Sequence, residues 1–112
     1  MVVMSPLTPV VFHLLLALSR GPLHGYGILK DVLDQTSGQL RLGPGTLYGS
    51  LQRLMDLGWV DEAPTPAGAD ERRRYYRLNR DGRRALDTEI ERMSALVSVA
   101  NARRLRTRRA DA

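Results

Sequence analysis

The stretch Leu42–Val60, LGPGTLYGSLQRLMDLGWV, constrains this chain more than any other. Leu47, Leu51, Leu54 and Met55 recur at helical spacing, so a helix from about Pro44 to Leu57 has one apolar face that must be buried. Gly43 and Pro44 mark its start, because proline at the first helical position gives up an N–H that has no intrahelical partner. Gly58 marks its end by taking a left-handed conformation that a side chain resists. The opposite face, the candidate nucleic-acid contact, begins with Pro44 and Gly45 at the helix entrance and carries Thr46, Tyr48, Gly49, Gln52 and Arg53. Hydroxyls, an amide, a guanidinium and bare backbone suit the edges and phosphates of a nucleic acid better than a protein core. Trp59 and Val60 then begin a strand-like run, and helix, glycine stop and hairpin follow in the order of a winged helix-turn-helix reading head.

The remaining elements fit round that helix. Val10–Leu18, VVFHLLLAL, lacks a basic segment before it and is far shorter than the ~20 apolar residues of a membrane span. It predicts a core helix, begun by Thr8-Pro9 and closed by Gly21-Pro22, and no membrane partner. His13 within it is either an effector contact or, more ordinarily, a hydrogen-bonded core or interface histidine. A compact turn from Pro22 to Gly27 leads into a second helix, about Tyr26–Gln35, with Ile28, Leu29, Val32 and Leu33 facing inward. As the first helix of the pair it would cross the phosphate backbone, which places His24, Tyr26 and Lys30 beside phosphates. Tyr26 could equally pack its ring in the core, and the more ordinary role of His24 is to shape the turn alone.

Val60–Ala63 and Arg73–Leu78 are read as paired strands, and the loop from Pro64 to Asp70, rich in turn formers and poor in anchors, as the wing. Arg72, Arg73 and Arg74 lie where the wing returns, either as phosphate contacts or as a solvated run partly neutralised by Asp70 and Glu71. Bulk charge cannot decide between these. Of the net +5, the segment from residue 80 onward, with nine basic and five acidic groups, carries most, while residues 43–79 are balanced at five and five.

Asn79 and Asp81 start a long last helix in which Leu86, Ile90, Met93, Val97 and Ala100 step by four and three. From Arg80 to about Arg104 such a helix is roughly 37 Å long, more than so small a domain can cover. The seam is therefore assigned to a dimer interface with a second copy, the other course being that the helix folds back over its own domain. The expected organisation is mainly α with a small β-hairpin wing: a DNA-binding domain at 1–79, a dimerisation helix at 80–104, and a disordered basic tail at 105–112. No cysteine is present, which removes disulfides and thiolate metal sites and fits a reducing cytoplasm.

Leu23-His24-Gly25-Tyr26 with Ile28, Pro44-Gly45-Thr46-Leu47-Tyr48 with Leu51, Arg53-Leu54, Gly58-Trp59-Val60, Arg72 to Leu78 with its Tyr75-Tyr76 pair, and Gly82 together resemble the short subfamily of the PadR family of bacterial transcriptional regulators. The resemblance runs from about Leu14 to Leu86 and implies a cytoplasmic homodimeric repressor with an N-terminal winged helix-turn-helix. It also implies a C-terminal helix packed on the first and last helices of the partner. Gly43, Gly49 and Asn79 stand where the family more often has serine, proline or alanine, and threonine. Some relatives hold flat aromatic molecules with a tryptophan on the long helices. This chain has no aromatic residue after Tyr76, so no effector residues are assigned, although a small-molecule effector is left open.

The expected function is that of a homodimer binding double-stranded DNA at an inverted repeat, as a sequence-specific transcriptional regulator and a repressor. The alternative is a winged-helix module that docks a protein with the same residues. An enzyme is not expected, because two histidines, no cysteine and no glycine-rich phosphate loop leave no nucleophile-base pair or metal set, and no cofactor is called for.

Overall fold

Leu47, Leu51 and Leu54 lie buried along one side of a helix that has no side-chain cap at Gly43. Fully burying a leucine is worth about 1.5–3 kcal/mol, so three of them easily outweigh a missing cap of about 1 kcal/mol. In this computed structural model, residues 7–111 are described, without the side chains of 110 and 111. The start of the expected N-terminal domain and Ala112 of the expected tail lie outside the described residues.

The elements are α1 (Pro9–Leu18), β1 (Leu23–His24), α2 (Gly25–Gln35), α3 (Pro44–Asp56), β2 (Val60–Ala63), β3 (Tyr75–Leu78) and α4 (Arg80–Asp111). Thr8 caps α1 by accepting from the Val11 N–H, and Leu14, Leu15, Ala17 and Leu18 bury it among α2, α3, α4 and β3. Ile28 and Val32 of α2, Val60 of β2, Tyr76 of β3 and Leu86 of α4 complete the same core. Gly58, at φ 78°, ends α3 and turns the chain into β2. His13 is half-buried, and its Nδ1 lies 2.7 Å from Gln35 Oε1.

The wing is part of a sheet of three strands in the order β1-β3-β2, all antiparallel, rather than a lone hairpin. Val60 pairs with Leu78 and Glu62 with Tyr76, while Leu23 and His24 pair with Tyr76 and Tyr75 from the other side. Two residues are too few to display strand alternation, which is why Leu23-His24 reads as a turn in the sequence. The wing loop is also better anchored than its composition suggests. Asp70 accepts from the backbone N–H of Arg72 at 2.9 Å, its carbonyl accepts from that of Arg73 at 3.0 Å, and Thr65 Oγ1 donates to the Arg73 carbonyl. Those turns delay the start of β3 to Tyr75.

Two further expectations need correction in α4. The helix does not end near Arg104 but continues through the described tail to Asp111. Arginine, leucine and alanine are strong helix formers, the segment has no glycine or proline, and its arginines suit the negative end of the helix dipole. Leu86 is not an available seam residue: only 2 % exposed, it is buried in the domain's own core. The first turns of α4 pack on α1, so the domain extends past residue 79 and takes in Ala85, Leu86 and Glu89.

Glu89 ties this helix to the chain before α1. Its carboxylate accepts from the Leu7 N–H at 2.9 Å and from Arg92 Nη2 at 3.0 Å. The Arg92 hydrogen bonds, and after them that of Leu7, hold its pKa below the ordinary value of 4.5 despite opposing desolvation. A carboxyl whose pKa is lower folded than unfolded adds stability at and above its unfolded pKa, and loses that contribution as pH falls through the folded value. Acid titration of Glu89→Gln should therefore show a shallower loss of stability below the ordinary carboxylate range than the parent. Parallel acid-unfolding curves would show that Glu89 does not contribute this linkage.

Candidate nucleic-acid interface

With its leucine side buried, α3 turns Gly45, Thr46, Tyr48, Gly49, Gln52 and Arg53 to the exterior, and Pro44 is exposed at its start. Gly45 and Gly49 are one helical turn apart and near the middle of the outward face, so nothing but backbone stands there. A Cβ at either would meet no atom within 4 Å, hence packing inside this chain does not require the glycines. Asp56 is the acidic group that sequence reasoning left aside: exposed one turn beyond Gln52, it accepts from Gln52 Nε2 at 3.0 Å. A carboxylate there repels phosphate and can accept from a base-edge amino group, while it holds the Gln52 amide in one orientation.

Beside α3 the start of α2 and the returning wing form an open cleft of about 500 Å³, lined by His24, Gly25, Tyr26, Tyr48, Arg72, Arg73, Arg74 and Tyr76. Tyr26 is 67 % exposed, which excludes a core position, and its ring stacks on that of His24 at 6.3 Å and 10°. Lys30, one turn further along α2, is exposed as well. Tyr48 leans over Gly25 so closely that a Cβ on Gly25 would come within 2.5 Å of its hydroxyl oxygen. Burial, and next the neighbouring Tyr48, push the Tyr76 phenol above its ordinary value, so it stays a neutral O–H.

The three wing arginines are differently engaged. Arg72 closes on Asp70 at 3.2 Å, and hydrogen bonds from its side chain and then its backbone hold the Asp70 carboxyl below its usual value. Arg74 stands 3.7 Å from Glu62. Arg73 makes no ion pair among the described residues and extends to His24, with Nη1 2.9 Å from Nε2. All three remain exposed, and ion pairs this open are worth about 0–1 kcal/mol, too little to withhold them from an incoming anion.

His24 does more than shape a turn. Its Nδ1 accepts from the Gly27 N–H at 3.1 Å and caps α2, while its ring meets Tyr75 edge-on at 5.3 Å. A histidine cap has no common sequence signature, so only its place just before a helical pattern could have suggested it.

The expected seam of α4 emerges from the domain beyond Glu89. Ile90, Met93, Val97 and Ala100 are exposed, and Leu96 and Val99 widen the apolar strip. No helix among the described residues is long and apolar enough to cross a membrane.

A buried helix pair, a third helix turned outward and a strand-bound loop at its flank define a winged helix-turn-helix protein. The model of the Transcriptional regulator PadR-like family matches residues 14–88, and the chain belongs to that family. A transcriptional regulator from Clostridium thermocellum has a similar structure, at TM-score 0.68 and 26% identity over 82% of this chain and 89% of that one. Bacillus subtilis PadR, solved in complex with operator DNA, shares the fold at TM-score 0.63 and 22% identity, over 74% of this chain and 47% of its own. An uncharacterized 37.1 kDa protein in transposon TN4556 of Streptomyces fradiae is 42% identical over 82 residues. Those residues are 73% of this chain but only 22% of that relative, so the chain spans about a fifth of its length.

Proposed function

We propose that the protein is a cytoplasmic homodimeric transcriptional regulator, a repressor that binds double-stranded DNA at an inverted repeat, with or without a small-molecule effector to release it. The observation that carries this reading is the continuity of one surface. The outward face of α3 runs into the cleft where Tyr26, Tyr48 and the wing arginines gather, so base-edge donors and phosphate donors share one side of the domain. Gly45 and Gly49 let the backbone of α3 come close to the floor of a major groove. Bacillus subtilis PadR, which shares the fold, was solved in complex with operator DNA, and this supports the reading. Family membership and the exposed apolar strip beyond Glu89 support the dimer.

In this reading Thr46, Tyr48, Gln52 and Arg53 face base edges, and Tyr26, Lys30, Arg72, Arg73 and Arg74 the backbone. Affinity for duplex DNA should then fall steeply between two salt concentrations, whereas a module that docks a protein would show little dependence. Arg53→Ala should weaken binding to the cognate repeat by about 1–3 kcal/mol while changing random-sequence binding much less, provided Arg53 reads a guanine. Equal losses on the two duplexes would reduce Arg53 to a phosphate contact.

A further inference from the structure

His24 sits at the meeting of α2 and the wing, where two donors approach a ring with a single lone pair. A neutral imidazole has one N–H and one acceptor nitrogen. The Gly27 N–H points at Nδ1 from 3.1 Å, and Arg73, whose guanidinium has no acceptor, brings Nη1 to 2.9 Å from Nε2. Both contacts cannot be hydrogen bonds of one neutral tautomer. The Gly27 N–H belongs to the first turn of α2, where a lost cap leaves a part-buried donor unpaired. Arg73 is exposed and can turn to water at little cost. The cap therefore decides the tautomer: Nδ1 bare and Nε2 protonated, which leaves two donor nitrogens of separate elements 2.9 Å apart with no acceptor between them. Adjacent donors without an acceptor are matched by an anion, and the cleft they line also holds Arg72, Arg74, Tyr26 and Tyr48.

We infer that His24 Nε2–H and Arg73 together form a seat for a single DNA phosphate, with His24 as a neutral donor whose direction is set by its cap on Gly27. This rests on the DNA-binding reading and deepens it: His24 shares one phosphate with Arg73, and its cap on Gly27 fixes which ring nitrogen donates. Burial first, and the charge of Arg73 second, push the His24 pKa below its ordinary 6.5, which keeps the ring uncharged at neutral pH. Tyr26 stacks on the His24 ring and Tyr75 meets it edge-on, and among the described residues no carboxylate is paired with His24 or Arg73 to compete for them. The assignment of roles is asymmetric: Arg73 neutralises the phosphate, and His24 adds a directed hydrogen bond without charge.

The asymmetry gives the test, made with a short random-sequence duplex because a phosphate seat is indifferent to sequence. Asparagine caps helices as well as any residue but is too short to bring a donor to the Nε2 position. His24→Asn should melt like the parent, bind the duplex roughly three- to tenfold more weakly, and keep the parent's dependence of log K on log salt. Arg73→Ala should flatten that slope by about 0.9, the value of one released counterion. The double variant should lose less than the product of the single losses, since both groups serve one phosphate. In the unaltered protein, long-range nitrogen–proton spectra of the ring should show the Nε2–H tautomer and a shift of that proton on adding duplex. Unchanged affinity of His24→Asn, or an Nδ1–H tautomer that ignores DNA, would overturn the seat while leaving the DNA reading in place. Failure of the unaltered protein to bind any duplex at low salt would overturn both.

Discussion

Replacing Ile90 and Val97 together by glutamate should separate the proposed dimer into monomers and weaken binding to a two-half-site duplex by about a hundredfold or more. Beyond Glu89 no described element packs on this face of α4: Ile90, Met93 and Val97 are 43%, 38% and 57% exposed, and they repeat at heptad spacing along a helix about 48 Å long. An apolar side chain of this size is worth about 1.5–3 kcal/mol when fully buried, and here about half of that surface is still exposed. In a two-fold interface each substitution occurs twice, so four carboxylates would have to be desolvated where eight methyl-bearing branches had packed. The cost to DNA binding follows from linkage. A dimer holding one half-site presents its second head at high effective concentration, and a monomer must bind each half-site alone. Light scattering and titration of whole and half repeats would check both parts. A double-glutamate variant that remained a dimer would place the interface elsewhere than on this strip.

That strip, apart from its first member, could be read from residue spacing because one long helix carries it alone. Leu86 continues the same four-three pattern, yet it is buried at home, for periodicity says which face is apolar and not what covers it. The reading helix was legible for a similar reason: Gly43-Pro44, the leucine spacing and Gly58 are all local signals, and they place α3 within a residue of its observed end at Asp56. Long-range features were not. β1 exists only because Tyr75 and Tyr76 offer their backbone to Leu23 and His24, some fifty residues away in sequence. His24 and Arg73 meet by the same pairing, so the convergence of their donors has no trace in either local stretch. The tail differs from expectation for another reason. A run of arginines without apolar periodicity offers no tertiary surface to hold a helix, but intrinsic propensity is enough to extend an already nucleated helix, since propagation is far cheaper than initiation.

Gly82→Ala should lower stability by about 2 kcal/mol, or roughly 10 °C in melting temperature, although alanine is the better helix former by about 1 kcal/mol. The new Cβ would collide with the Trp59 carbonyl oxygen, lie 3.0 Å from its carbonyl carbon and 2.7 Å from Leu78 Cδ1. The leucine methyl can rotate aside, but the carbonyl cannot. It already accepts from the Asn79 N–H at 3.1 Å, and the Trp59 N–H is committed to Leu54 at the end of α3. Asn79 adds a second tie, with Nδ2 donating to the Gly58 carbonyl at 2.8 Å while Oδ1 accepts from the Gly82 N–H at 2.9 Å. The last turn of the reading helix and the first turn of α4 are thus one rigid corner, and Gly82 is what lets them close. If α4 joins the subunits, this corner also sets the distance between the two reading heads. Asn79→Ala, which removes a cap worth about 1 kcal/mol but adds no bulk, should therefore cost less stability than Gly82→Ala and relax the preferred spacing between half-sites less. Thermal melts of the two variants, with binding to repeats whose spacer is lengthened or shortened by one base pair, would separate the effects. An unchanged melt for Gly82→Ala would mean that Trp59 yields freely and that the two helices are not held at a fixed angle.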